Sequence, residues 1–80
     1  MAKTPAGNTM KISQAAQAAG VSVQTIEYYI MLGLITPIIR PGSRRRGFDE
    51  ALVKRIRLIR ELNDSGYTLR EIRQTWMRRR

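Results

Sequence analysis

The residues best suited to chemistry are Arg40, Arg44, Arg45 and Arg46, four guanidiniums within seven consecutive positions, and the cluster Gln24, Thr25, Glu27, Tyr28 and Tyr29 upstream of them. A guanidinium is planar, permanently charged and matched to phosphate oxygens, so an arginine-dense loop fits a phosphate backbone, with one arginine able to enter a minor groove. A merely solvated basic loop is the alternative. Upstream, a glutamine can bond adenine through two atoms, a glutamate can accept from a cytosine amino group, and a tyrosine hydroxyl can bond phosphate. Plainer roles exist for each. Gln24 and Thr25 also suit a solvated helix start, and Tyr28 divides evenly between phosphate contact and simple exposure. Tyr29 lies beside Ile26 and Ile30, so it either holds phosphate or packs into the core with only its hydroxyl in water. Glu27 is repelled by phosphates; it either reads a cytosine or is neutralised by an arginine of the basic loop, and the second is the expectation.

Catalysis is not expected. The chain has no Cys and no His, which removes disulfides, thiolate and imidazole metal sites, and the Ser-His and Cys-His nucleophile pairs. Neither a GxxxxGK[ST] nor a GxGxxG phosphate loop occurs. Asp49, Glu50, Glu61, Asp64 and Glu71 recur among basic residues at helical spacings, as surface ion pairs do. No cofactor and no metal are implied.

Eighty residues suffice for one small domain. Fifteen Lys and Arg against six Asp and Glu give a formal charge of +9, and a polyanion is the natural partner. The charge is lopsided: residues 1–39 are nearly neutral, while residues 40–80 carry 13 basic and 5 acidic side chains. The longest nearly apolar run, residues 30–39, is broken by Gly33, Thr36 and Pro37 and falls well short of the roughly 20 residues that span a bilayer. With no apolar stretch behind Lys3 to make a secretory signal, a cytoplasmic, nucleoid-associated location is expected.

These residues must be positioned by short elements. Residues 1–9 have no periodicity and read as a disordered lead-in; residues 78–80 read as a basic tail. Ser13 is expected to cap a helix over 14–19, whose apolar face is Ile12, Ala15, Ala16 and Ala19, and Gly20 to stop it. Ser22 caps a second helix with Val23, Ile26 and Ile30 inward and Gly33 as its stop. Two short helices joined through Gly20, Val21 and Ser22 have the form of a helix-turn-helix. Ile35, Ile38 and Ile39, with Pro37, Pro41 and Gly42, then favour a two-stranded wing over 34–48. Asp49 caps a long helix with Leu52, Ile56, Ile59 and Leu62 inward and Lys54, Arg57 and Arg60 facing water. Thr68 and Glu71 form a capping box for a last helix with Leu69, Ile72 and Trp76 as its apolar stripe. The fold class expected is mainly α with a small β-wing, a four-helix winged helix-turn-helix over residues 10–77. In such a unit the second helix enters the major groove of double-stranded DNA and the wing grips the backbone.

The run Lys11-Ile12-Ser13 through Ala16, then Gly20-Val21-Ser22, Thr25-Ile26-Glu27-Tyr28-Tyr29, Gly33-Leu34-Ile35-Thr36-Pro37, Arg40 and Gly66-Tyr67-Thr68-Leu69-Arg70-Glu71-Ile72 resembles the N-terminal DNA-binding domain of MerR-type transcriptional regulators. The resemblance covers about residues 10–76 without an evident gap and implies pseudo-palindromic operators bound by dimers, with activation by bending and untwisting the promoter. It implies that Tyr29, the second tyrosine of the family's Thr-Ile-Arg-Tyr-Tyr motif, holds phosphate, that Arg40 and Arg46 grip the backbone, and that Gln24 and Thr25 meet bases. Departures are Glu27 in place of the motif's arginine, and Arg44-Arg45-Arg46 in place of the wing's usual Gly-Tyr-Arg. Family members also continue into a dimerisation helix and an effector domain, so no small-molecule effector site is expected within this chain. A dimer belongs to a full-length context; the chain alone is expected to be monomeric or weakly associating.

Two other readings stand beside this one. An excisionase-like architectural protein would bind direct repeats rather than an inverted repeat. A protein-interaction module retaining the fold would explain Glu27 but not the basic second half. A membrane role is disfavoured, because the apolar stripe of the basic third helix is needed for the core.

Overall fold

In a computed structural model, the described residues are 9–39, 41, 42 and 45–76. They form helices α1 (Ile12–Ala19), α2 (Val23–Met31), α3 (Glu50–Asp64) and α4 (Leu69–Thr75), with strands β1 (Ile38–Ile39) and β2 (Arg46–Gly47) between α2 and α3. The tail at 78–80 and the lead-in up to residue 8 lie outside the described residues, as do Arg40 and Arg44.

The three buried alanines Ala15, Ala16 and Ala19 let α1 pack against both α3 and α2. This helix starts two residues earlier than expected. Gln14 supplies the reason: its Oε1 accepts the Lys11 backbone N–H at 3.0 Å, satisfying a donor at the helix start, while Ser13 is an exposed residue of the first turn rather than the cap. At the other end Gly20 has φ 75°, a left-handed conformation that any Cβ would strain. There the Val21 N–H reaches the Ala16 carbonyl at 3.0 Å and the Gly20 N–H the Gln17 carbonyl at 3.3 Å, the bond pair of a Schellman turn. Two arginines of α3 take up further carbonyls: Arg57 Nη2 donates to Ala18 O at 3.2 Å and Arg60 Nη1 to Gly20 O at 3.0 Å. Both residues were expected only to face water; instead they tie the helix-turn-helix to α3.

Ser22 caps α2, its Oγ accepting from the Thr25 N–H at 3.0 Å. The buried residues of α2 are Ile26 and Tyr29, with Ile30 half-buried and Val23 exposed, so Tyr29 takes the place expected for Val23. Val23 opens the helix, and the tilt of Cα–Cβ bonds toward the N-terminus aims a first-turn side chain past the helix end. Asp49 Oδ1 caps α3 by accepting from the Leu52 N–H at 2.9 Å. Its buried stripe is Val53, Ile56 and Ile59, flanked by half-buried Leu52 and Leu62, so Val53 joins the expected set. In α4 the capping box forms as read, with Thr68 N–H to Glu71 Oε1 at 2.8 Å and Glu71 N–H to Thr68 Oγ1 at 3.0 Å. Trp76 departs from expectation. It follows the last residue of α4, is half exposed, and meets Tyr67 edge to face at 6.3 Å instead of entering the core.

Phe48, Ile26, Leu34, Ile56, Ile59 and Ile72 are the largest fully buried side chains, so every layer from α2 to α4 contributes to one core. The wing is antiparallel with Ile38 opposite Gly47 and Ile39 opposite Arg46. Its base is joined to the start of the chain: Met10 and Phe48 exchange backbone hydrogen bonds at 2.8 and 3.0 Å. Thr9, expected in the lead-in, lies against Gly47, where an added Cβ would stand 2.8 Å from the Thr9 Cβ. Replacing buried Ile56 by Ala should cost about 2–5 kcal/mol of stability in denaturant unfolding, whereas exposed Leu58→Ala on the same helix should change it by no more than about 0.5 kcal/mol.

Candidate nucleic-acid interface

Helix α2 presents its polar residues on the face away from Ile26 and Tyr29. Gln24 and Glu27 are exposed and Tyr28 is 48% exposed. Thr25 is only half-buried but its hydroxyl is committed to Ser22, 2.9 Å away, so it first serves the cap of its own helix. Tyr29 is 4% exposed: its ring is part of the core, and burial is the main cause that raises its pKa, with the nearby Asp64 carboxylate adding to the rise and Arg60 opposing it. It still borders a surface cleft of about 560 Å³ between the start of α2 and the end of α3, together with Gln24, Tyr28, Arg60, Asn63 and Asp64. The α3 members of this cleft were missed by reading the sequence for site residues. Their i,i+4 spacing was visible, and Arg60 does pair with Asp64 at 3.6 Å, but only the packing of α3 beside α2 brings them to Tyr29.

Of the wing arginines, Arg45 and Arg46 are among the described residues. Arg45 is exposed and, with Arg46, Lys11 and Ile38, borders a second cleft of about 220 Å³ at the wing base. Arg46, on β2, reaches Glu27: Nη1 donates to Oε1 at 3.0 Å and Nη2 to Oε2 at 2.8 Å. The side chains remain 36% and 48% exposed, respectively. The arginine that neutralises Glu27 is thus Arg46, and a guanidinium expected on the DNA backbone is engaged by a carboxylate of α2. Hydrogen bonding to Arg46 is the chief cause that lowers the Glu27 pKa below the usual carboxylate range.

Among the described residues no group of three or more His, Cys, Asp or Glu could hold a metal ion, and no helix is long and apolar enough to cross a membrane. What the surface offers is hydrogen-bond donors, acceptors and positive charge on one helix and one hairpin.

Comparison with known proteins places this geometry. A family model described as MerR HTH family regulatory protein matches residues 10–77. The chain belongs to the MerR family. Among MerR-type relatives it is 35% identical over 65 residues to the HTH-type transcriptional regulator HmrR of Sinorhizobium medicae, covering 81% of this chain and 44% of that protein. To the HTH-type transcriptional regulator CueR of Bacillus subtilis it is 38% identical over 65 residues, covering 81% of this chain and 45% of the relative. The chain therefore spans less than half the length of these two MerR regulators. A crystal structure of the transcription regulator PbrR691 from Ralstonia metallidurans CH34 in complex with lead(II) superposes with a TM-score of 0.75 at 34% identity, over 81% of this chain and 51% of that one. The four helices and two-stranded antiparallel wing of the described residues, with the family match, make this a MerR-type winged helix-turn-helix, the DNA-binding domain of that family.

The ion pair has a pH signature. Because Arg46 depresses the folded-state pKa of Glu27, its contribution is present above the ordinary carboxylate range and is lost as pH falls through that lowered value. An NMR titration of the Glu27 carboxyl should find its midpoint below that of an ordinary glutamate, and Arg46→Ala should return it upward; identical midpoints in both proteins would show that the pair does not persist in solution.

Proposed function

We propose that this chain binds double-stranded DNA sequence-specifically for a bacterial transcriptional regulator, with α2 in the major groove and the arginine-rich wing on the phosphate backbone. The observation that carries this reading is the tie between α2 and β2 through Glu27 and Arg46, which joins the exposed face of α2 to the hairpin strand. On it Gln24, Glu27 and Tyr28 have the donors and acceptors that base edges require, and Arg45 brings positive charge beside them. Arg40 and Arg44 extend the same arginine-dense loop in sequence and are assigned to phosphate with it. Tyr29 and Thr25 support α2 from within, and their contact with DNA is through the cleft they share with Arg60.

The binding unit spans residues 10–77, and the arginines at 78–80 add non-specific attraction. The activity requires no catalysis and no cofactor. DNA as partner places the protein with the chromosome in the cytoplasm. Dimerisation and effector sensing belong to parts of a longer regulator, and an inverted repeat is the expected footprint; direct repeats would favour an architectural role.

If about six phosphates are neutralised, the logarithm of the binding constant should fall with the logarithm of salt concentration with a slope of about −5. Selection from a randomised duplex library separates the roles: Gln24→Ala should change which duplexes are preferred, while Arg45→Ala should weaken all of them alike. Uniform loss in both variants would sink the assignment of α2 to base reading.

A further inference from the structure

We infer that Glu27 is a specificity-determining residue that acts through Arg46, holding one wing guanidinium away from phosphates so that backbone contact alone is an incomplete reward for binding. The inference rests on the DNA reading above and concerns how the same surface discriminates between duplexes.

Both Nη atoms of Arg46 are committed to the two carboxylate oxygens at 3.0 and 2.8 Å. A pair this exposed contributes little to folding, so the reason for a carboxylate at the centre of a basic surface lies elsewhere. Phosphate and carboxylate compete for the end-on pair of donors, one N–H on each Nη; the three remaining N–H groups stay open, but a phosphate can take this end-on fork only by displacing Glu27. The displaced carboxylate is then left unpaired on the face of α2 nearest the polyanion. On an arbitrary duplex this opposes the gain from the new contact. Where the facing base pair offers an amino donor in the major groove, of cytosine or adenine, the released carboxylate acquires a partner and the opposition disappears. The pair therefore weakens binding everywhere except at sites that satisfy both halves.

Placement supports this role. Glu27 lies in the middle of α2 and Arg46 on the hairpin strand opposite Ile39, so one bidentate contact joins the two elements. Among the described acidic residues, Asp49 caps a helix, Glu71 closes a capping box and Asp64 pairs within α3. Glu27 has none of these local duties; its partner is a side chain nineteen positions away.

The test is the salt dependence of binding to a random-sequence duplex, measured with the 80-residue chain as wild type, Glu27→Gln, Arg46→Ala and the double variant. Glu27→Gln keeps the shape of an exposed side chain and should leave the circular dichroism spectrum and unfolding midpoint unchanged. It should bind the random duplex about fivefold more tightly near 0.1 M salt and steepen the salt slope by about 0.9, the equivalent of one more phosphate. In the Arg46→Ala background the same substitution should give no steepening, because no guanidinium is released. On a duplex selected by the wild type, Glu27→Gln should gain less than on the random duplex, so the ratio of specific to non-specific binding falls. An unchanged slope for Glu27→Gln, or a loss confined to a single base pair of the selected duplex with random binding unaltered, overturns the inference and leaves the DNA reading intact. A wild-type chain that binds no duplex at low salt overturns the DNA reading and this inference with it.

Discussion

The geometry of the whole unit depends on how the carbonyls at the end of α1 are satisfied. A helix leaves its last acceptors without intrahelical partners, and here the chain turns within three residues into another helix. Gly20 solves half of it by adopting a left-handed conformation that folds two backbone N–H groups onto Ala16 and Gln17. Arg57 and Arg60 add to this by reaching from α3 to the carbonyls of Ala18 and Gly20. The turn between α1 and α2 is thereby joined to α3. That core is small, and Ala15, Ala16 and Ala19 matter because they let three helices approach closely without large side chains between them.

The same contacts divide the net charge of +9 into portions with different consequences. Arg57 and Arg60 are structural struts, and Arg60 also pairs with Asp64. Arg46 is balanced by Glu27. A guanidinium bonded to a carbonyl stays cationic, so among these contacts only the Arg46–Glu27 and Arg60–Asp64 pairs offset positive charge locally.

Much of this was legible in the sequence, because the signals were local. Ser22, Asp49 and the Thr68–Glu71 box each act within four residues, and all three caps form as read. The order of helix, helix, wing, helix and helix follows from those caps and from the glycines between them. What was not legible was set by tertiary contact. Periodicity gave α2 an apolar stripe, but the neighbours decided that Tyr29 rather than Val23 fills it. Ser13 was a plausible cap until Gln14 supplied the bond from within the helix. Trp76 fitted the apolar stripe of Leu69 and Ile72, yet α4 ends before it and Tyr67 receives it instead. For the site, residue types identified the candidates on α2 and the wing. Nothing in the spacing of Arg60 and Asn63 could show that they share a cleft with Tyr29, because that depends on how α3 lies across the turn.

The seam between Met10 and Phe48 has a consequence for folding order. It closes a loop that contains α1, α2 and the entire hairpin, and it admits Thr9 only because Gly47 offers no side chain. Helices as short as α1 and α2 are marginal on their own, so their placement depends on long-range closures such as this seam and the contacts from α3 and β2. The loop so closed holds α2 and the hairpin together. A substitution at Thr9 or Met10, well before α2 in sequence, therefore acts on the base of the hairpin.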